Sequence, residues 1–72
     1  MAHDPLDTVI GVTDATKRDP ATSAKFVVSA TKFEQNGERQ AAVIDYRKAL
    51  STDPANSEAM FKLAYLLDLM GE

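Results

Sequence analysis

Residues 26–50 read FVVSATKFEQNGERQAAVIDYRKAL, and this stretch decides the fold. From Phe26 to Phe33 the apolar residues recur at spacings of three, four and seven, which is the pattern of one face of a helix. The Asn36-Gly37 dipeptide marks a turn, because glycine readily adopts the left-handed conformation that closes a helix. The apolar stripe consists of Phe26, Val27, Val28, Ala30 and Phe33. The stretch therefore predicts a helix that ends near Asn36 and a second helix soon after it.

The second predicted helix extends from Glu38 to Thr52 and is amphipathic. Its apolar face carries Ala42, Val43, Tyr46, Ala49 and Leu50, and its charged residues, expected on other faces, are Arg39, Asp45, Arg47 and Lys48. Asp53-Pro54 ends it, because the residue before a proline is pushed out of helical space. We expect Ala30 and Ala42 to let the two helices approach closely, with larger side chains packed on either side.

The chain also repeats itself with a period of 34 residues. Asp19-Pro20 and Asp53-Pro54 are 34 residues apart, and so are Gly37 and Gly71. The same offset matches Phe26 with Met60, Ala30 with Ala64, Phe33 with Leu67, Glu34 with Asp68 and Glu38 with Glu72. A regular period of this length is typical of proteins built from stacked helical repeats. We therefore expect the apolar run after Ser57 to form a helix equivalent to the first one, with Ser57 as its N-cap or first-turn residue.

Residues 23–72 resemble the tetratricopeptide repeat family, whose 34-residue unit is a pair of antiparallel helices. The residues that carry the resemblance are Phe26, Ala30, Phe33, Ala42, Tyr46, Ala49 and Pro54 in one unit, and Met60, Leu63, Ala64, Leu67 and Gly71 in the next. Ser29 departs from the pattern, because the family usually has leucine there. The resemblance implies an all-α superhelical module of about four helices. Residues 23–56 would be a full repeat, 57–72 the first helix of a truncated repeat, and 1–22 a half-repeat or an arm.

The first 20 residues allow two interpretations. Asp4 can cap a helix that starts at Pro5, with Leu6, Val9, Ile10 and Thr13 on one face. The alternative is an extended binding arm, because the VIGVT segment is β-branched and Gly11 costs about 1 kcal/mol in a helix interior. The helix is the favoured interpretation.

Composition excludes several classes of protein. The chain has 72 residues, no cysteine and a net charge of −3. An acidic balance argues against a nucleic-acid binder, and the start MAHDPLD lacks the basic and apolar regions of a signal peptide, so a cytoplasmic protein is expected. The apolar run from Ala59 to Met70 is shorter than the roughly 20 residues of a membrane span and is interrupted by Lys62 and Asp68.

No catalytic or metal-binding pattern is visible. His3 is the only histidine, so a transition metal would have too few ligands and a serine nucleophile would have no histidine base. The three glycines are isolated, which excludes a glycine-rich phosphate loop. We therefore expect a non-enzymatic protein with no cofactor and no metal.

The candidate binding residues follow from the resemblance and from the apolar last helix. In tetratricopeptide arrays the first helices of successive repeats line a groove, and Val27 and Thr31 correspond to groove positions here. These two residues also occupy the places where some family members use lysine and asparagine to bind a carboxylate, which argues against that role. The predicted protein-binding residues are Val27, Thr31, Met60, Phe61, Leu63, Tyr65, Leu67, Asp68 and Leu69. Phe61 or Leu69 could instead fold against the N-terminal segment.

The expected function is that of an adaptor or scaffold, a small subunit that docks onto a larger protein complex. The last helix would leave about 5–9 kcal/mol of apolar burial unrealised without a covering helix, which is large beside the stability of a small domain. The alternatives are a homo-oligomer that covers this helix with a second copy and an N-terminal fragment of a longer repeat protein. Peripheral membrane attachment is disfavoured, because the helix lacks flanking lysines and arginines.

Overall fold

The computed structural model describes residues 18–71, which form three α-helices and no strand. Helix α1 is Pro20–Gln35, α2 is Arg39–Thr52 and α3 is Ser57–Gly71. The all-α class predicted from the sequence is confirmed for this part of the chain. The N-terminal helix or arm, which would make the fourth element, lies outside the described residues. None of the three helices is long and apolar enough to cross a membrane.

Helix α1 starts three residues before the repeat register suggested, because Asp19 and Pro20 together form a strong start signal. The Asp19 carboxylate accepts hydrogen bonds from the Thr22 amide at 3.1 Å and from the Thr22 hydroxyl at 2.8 Å. Pro20 lies in the first turn, where a backbone N–H would have no partner within the helix, so its lack of an N–H costs no hydrogen bond. The Thr22 hydroxyl, followed by the Thr22 amide, holds the pKa of Asp19 below its usual value.

The predicted turn at Asn36-Gly37 is confirmed. Gly37 has a φ of 79°, in the left-handed region that favours glycine. Its amide donates to the Glu34 carbonyl at 2.9 Å, and the Glu38 amide donates to the Phe33 carbonyl at 2.8 Å. This pair of bonds is the Schellman arrangement, which satisfies the free carbonyls at the end of α1 and reverses the chain into α2.

The predicted end of α2 at Asp53-Pro54 is also confirmed. The helix ends at Thr52, and Asp53 has an extended backbone conformation. The Asn56 side chain, rather than Ser57, caps α3 by accepting from the Ala59 amide at 2.9 Å. Ser57 is the first residue of the helix. Asp53 is buried, accepts from the Ala55 amide at 3.1 Å and pairs with the Arg18 guanidinium at 3.5 Å.

The core lies along α2, which packs against both other helices. Ala30 of α1 and Ala42 of α2 are both fully buried, as expected if small residues let the two backbones approach. The buried apolar core consists of Val27, Ala30, Ala42, Val43, Tyr46, Ala49, Ala59 and Leu66. Phe26, Phe33, Leu50 and Leu63 pack against it while remaining partly exposed. The Lys48 ammonium lies 5.9 Å from the centre of the Phe26 ring, within range of a cation–π contact.

Two of the predicted side-chain positions are wrong. Asp45 was expected on the polar face of α2, but it is buried and its carboxylate accepts from the Ser29 hydroxyl at 2.5 Å. This bond gives a physical reason for a serine where the repeat pattern has leucine, because a buried carboxylate needs a donor. Val28, expected in the apolar stripe, is 55% exposed.

A single buried hydroxyl, that of Ser23, links all three helices. It belongs to α1, donates to the Ala49 carbonyl of α2 at 2.7 Å and accepts from the side-chain amide of Asn56 at 2.8 Å. Because Asn56 also caps α3, this bond holds the start of α3 against the other two helices. The Asp19 amide donates to the Thr52 carbonyl at 3.0 Å and closes the same end of the structure.

Replacing Ala42 with leucine tests the close approach of α1 and α2. Ala42→Leu should lower the free energy of unfolding by about 1–3 kcal/mol, because added methylenes overpack a contact with no free space. Urea unfolding followed by circular dichroism measures the change. Ala21→Leu, at an exposed position of α1, is the matched control and should change stability by about 0.5 kcal/mol or less. Equal effects of the two substitutions would contradict this account of the core.

Replacing Ser23 with alanine tests the three-helix link. Ser23→Ala removes two hydrogen bonds, one to the Ala49 carbonyl and one from the Asn56 amide, each of which contributes about 0.5–1.5 kcal/mol to stability. The same urea unfolding measures the loss. Hydrogen exchange should show faster exchange of the Ala59 amide, since its cap depends on the position of Asn56. An unchanged exchange rate at Ala59 would show that α3 is held in some other way.

Candidate protein-binding surface

Helix α3 buries only a narrow part of its circumference. Ala59 and Leu66 face the core and are fully buried, and Leu63 packs beside them while partly exposed. Six large apolar side chains of the same helix are exposed, and they are Met60, Phe61, Tyr65, Leu67, Leu69 and Met70. Phe61 is the most open, at 76% exposure. A contiguous exposed apolar surface of this kind usually marks an interaction site.

Five of these six side chains, all except Met70, lie on two stripes. Met60, Ala64 and Leu67 follow each other at spacings of four and three and form what we call the Met60 stripe. Phe61, Tyr65 and Leu69 follow at spacings of four, lie on the adjoining flank of the helix and form the Phe61 stripe. All six residues of the two stripes are exposed.

A groove of about 430 Å³ separates α1 from α3. Its lining residues are Ala24, Val27, Val28, Thr31, Lys32, Gln35, Glu58 and Lys62. Lys62 pairs with Glu58 at 3.3 Å across one turn of α3. Glu58 is exposed and Lys62 is partly exposed, so the pair contributes little to stability.

Three of the nine predicted binding residues are already engaged within the molecule. Val27 lines the groove but is buried, at 5% exposure. Thr31 is partly buried, and its hydroxyl donates to the Val27 carbonyl at 2.9 Å. Leu63 is part of the packing around the core. The other six predicted residues, Met60, Phe61, Tyr65, Leu67, Asp68 and Leu69, are exposed on α3.

The Tyr46 hydroxyl reaches from α2 to the groove side of α1. It donates to the Glu34 carboxylate at 2.5 Å and lies 3.4 Å from the Thr31 hydroxyl. Burial, followed by the hydrogen bond to Glu34, raises the pKa of Tyr46. This network connects α2 to Thr31, one of the groove residues, and the pattern of one helix could not reveal it because it joins residues of two helices.

Met70 is a surface residue that the sequence analysis missed. Together with Leu69 it lines a second cavity, of about 670 Å³, against the start of α2 at residues 37–41. The position of Met70 at the end of a long apolar run was the signal available in the sequence. Within residues 18–71, no three potential ligands among His, Cys, Asp and Glu lie close enough to hold one metal ion.

The chain was compared with family models, with curated proteins and with solved structures, and nothing in any of the three sets matches it. The resemblance to tetratricopeptide repeats therefore stays a prediction. The antiparallel pairing of α1 with α2 and the placement of α3 against α2 are compatible with it.

The Tyr46 environment predicts an alkaline transition. The pKa of Tyr46 is raised in the folded chain, so the neutral hydroxyl contributes to the free energy of unfolding. This contribution is complete below the usual pKa of tyrosine and is lost as the pH rises through the pKa of the folded state. In the Tyr65→Phe variant, Tyr46 is the only tyrosine of the chain, so alkaline absorbance titration follows it alone. We expect its midpoint above that of the urea-unfolded variant. Coincident midpoints would show that burial does not suppress ionisation of this group.

Proposed function

We propose that this chain is a non-enzymatic adaptor of tetratricopeptide-like architecture that binds another protein through the exposed apolar surface of α3. The observation that carries the proposal is the concentration of large apolar side chains on one helix that packs through only a narrow face. Single exposed apolar residues are ordinary on a protein surface, but six on one helix are not.

The energetics support a protein partner. Complete burial of one large apolar side chain contributes about 1.5–3 kcal/mol, and aromatic residues commonly dominate binding interfaces. Phe61 and Tyr65 are 76% and 60% exposed. Covering them together with Met60 would therefore release more free energy than most single contacts within so small a domain. The side chains also sit on a regular helix, which limits the entropy lost on binding.

The buried polar groups support a structural role rather than catalysis. Asp45, Tyr46 and Asp53 are the buried titratable residues of the described helices and turns. Each is held by an internal partner, namely Ser29, Glu34 and Arg18 respectively. Groups engaged in this way stabilise the packing of α1, α2 and the α2–α3 turn.

The proposal is tested by affinity purification of the tagged chain from its own cells, with quantitative mass spectrometry of the proteins that copurify. The Met60→Lys/Phe61→Lys variant places a charge on each stripe and should lose the bound protein, because an unpaired charge cannot be buried in an apolar interface. The two residues are exposed, so circular dichroism should show an unchanged fold.

The matched control is Ile44→Lys/Ser51→Lys, which adds the same charge at two exposed positions of α2, outside the groove and outside α3. The control should retain the partner. Loss of the partner from both variants, or from neither, would contradict binding through α3. Copurification of only a differently tagged copy of the chain would show that the surface serves self-association instead.

A further inference from the structure

We infer that the Met60 stripe binds an amphipathic helix of a partner protein, one that resembles α2 in its small and aromatic residues but carries an apolar residue in place of Asp45. This inference rests on the proposed function and specifies the partner's chemistry. The argument starts from the pairing of α1 with α2, because α3 repeats the contact residues of α1 at an offset of 34 positions.

The contacts of α1 with α2 define what such a partner needs. Ala30 is fully buried where the two helices meet, with Phe26 and Phe33 packed against the core. Ser23 donates to a carbonyl of α2, and Glu34 accepts from Tyr46. The pairing therefore uses a small residue for close approach, two large apolar residues beside it and a polar group towards each end. It also buries Val27, whose equivalent on α3 is Phe61.

Helix α3 presents the same set on an open face. The equivalents of the five α1 residues Ser23, Phe26, Ala30, Phe33 and Glu34 are Ser57, Met60, Ala64, Leu67 and Asp68. Every one of these five α3 residues is exposed, and Met60 is 53% exposed. Each keeps the chemical character of its α1 equivalent: a hydroxyl, an apolar side chain, an alanine, an apolar side chain and a carboxylate.

The open face is continuous with an interface that the structure already contains. Leu63 packs against the buried core and borders the Met60 stripe, since Met60 and Leu67 lie one turn before and after it. A helix seated on the stripe would therefore extend the existing core across Leu63 without rearranging α2.

The partner helix must differ from α2 at one position. Ser29 donates to the buried Asp45 carboxylate, and the residue 34 positions after Ser29 is Leu63. A carboxylate seated over Leu63 would be buried without a donor, which is strongly unfavourable. The partner therefore needs an apolar residue at this position. It also carries small residues at the places of Ala42 and Ala49, and a hydroxyl donor such as tyrosine at the place of Tyr46, which would face Asp68.

The test uses the full 72-residue chain and two fluorescent peptides with the sequence of residues 38–54. One peptide carries the Asp45→Leu change and the other keeps the native aspartate. Fluorescence anisotropy should show saturable binding of the first, with the native peptide at least about ten-fold weaker because its carboxylate lacks a donor. In the protein, Ala64→Leu should weaken binding by about ten-fold or more through overpacking. Ile44→Ser, at an exposed position of α2 away from α3, should change it by less than about two-fold.

Nuclear magnetic resonance of the labelled protein identifies the surface that binds. Shift changes centred on Met60, Ala64 and Leu67 support the inference. Changes centred on Ala30 and Ser29 would mean that the peptide displaces α2, and they would overturn it. If the resonances of the Met60 stripe shift with protein concentration when no peptide is present, a second copy of the chain binds the stripe. That result would also overturn the inference.

Isolated helices of this length are marginally stable, so weak binding needs a second measurement. Joining each peptide to the end of the full chain through a flexible glycine–serine linker raises its effective concentration to the millimolar range. The Asp45→Leu peptide should then raise the melting temperature, and the native peptide should raise it less. Equal effects of the two peptides, or no effect of either, would overturn the inference. A natural partner that still copurifies and depends on Phe61 would leave the proposed function standing.

Discussion

The hydroxyl of Ser23 is the interaction on which the arrangement of the three helices depends. It is buried, it bonds to a carbonyl of α2 and to the residue that caps α3, and it lies on α1. Apolar packing alone has little directional preference, so it would tolerate several positions of α3 against α2. Two hydrogen bonds at 2.7 and 2.8 Å exclude most of them, because an unpaired polar group at this site would be costly.

Polar groups specify the register elsewhere in the small core as well. Ser29 with Asp45, and Tyr46 with Glu34, join α1 to α2 along the rest of their length. No buried side-chain nitrogen or oxygen within residues 18–71 lacks a partner. A domain this short buries limited apolar area, so specific polar pairs contribute proportionately more to the choice of a single packing.

The contrast between α1 and α3 is the feature that points to function. The two helices carry equivalent residues, yet Ala30 is fully buried and Ala64 is exposed. The difference lies in what packs on each helix, since α2 covers the relevant face of α1 and contacts a different face of α3. An exposed face that repeats the contact residues of α1 is therefore more informative than its apolar area alone. In the proposed complex, this pattern of small and large residues is what the partner helix would match.

The sequence by itself determined the helix boundaries near Gly37 and Asp53-Pro54 and the small residues of the α1–α2 contact. These follow from backbone sterics and helical periodicity, which act over a few neighbouring residues. Only the tertiary structure decided that Asp45 is buried, that Val28 is exposed and that Val27, Thr31 and Leu63 serve internal contacts. Those outcomes depend on which face of each helix meets its neighbour and on hydrogen bonds between residues 12 to 33 positions apart. The apolar pattern of one helix contains no information on how two helices face each other or on the hydrogen bonds between them.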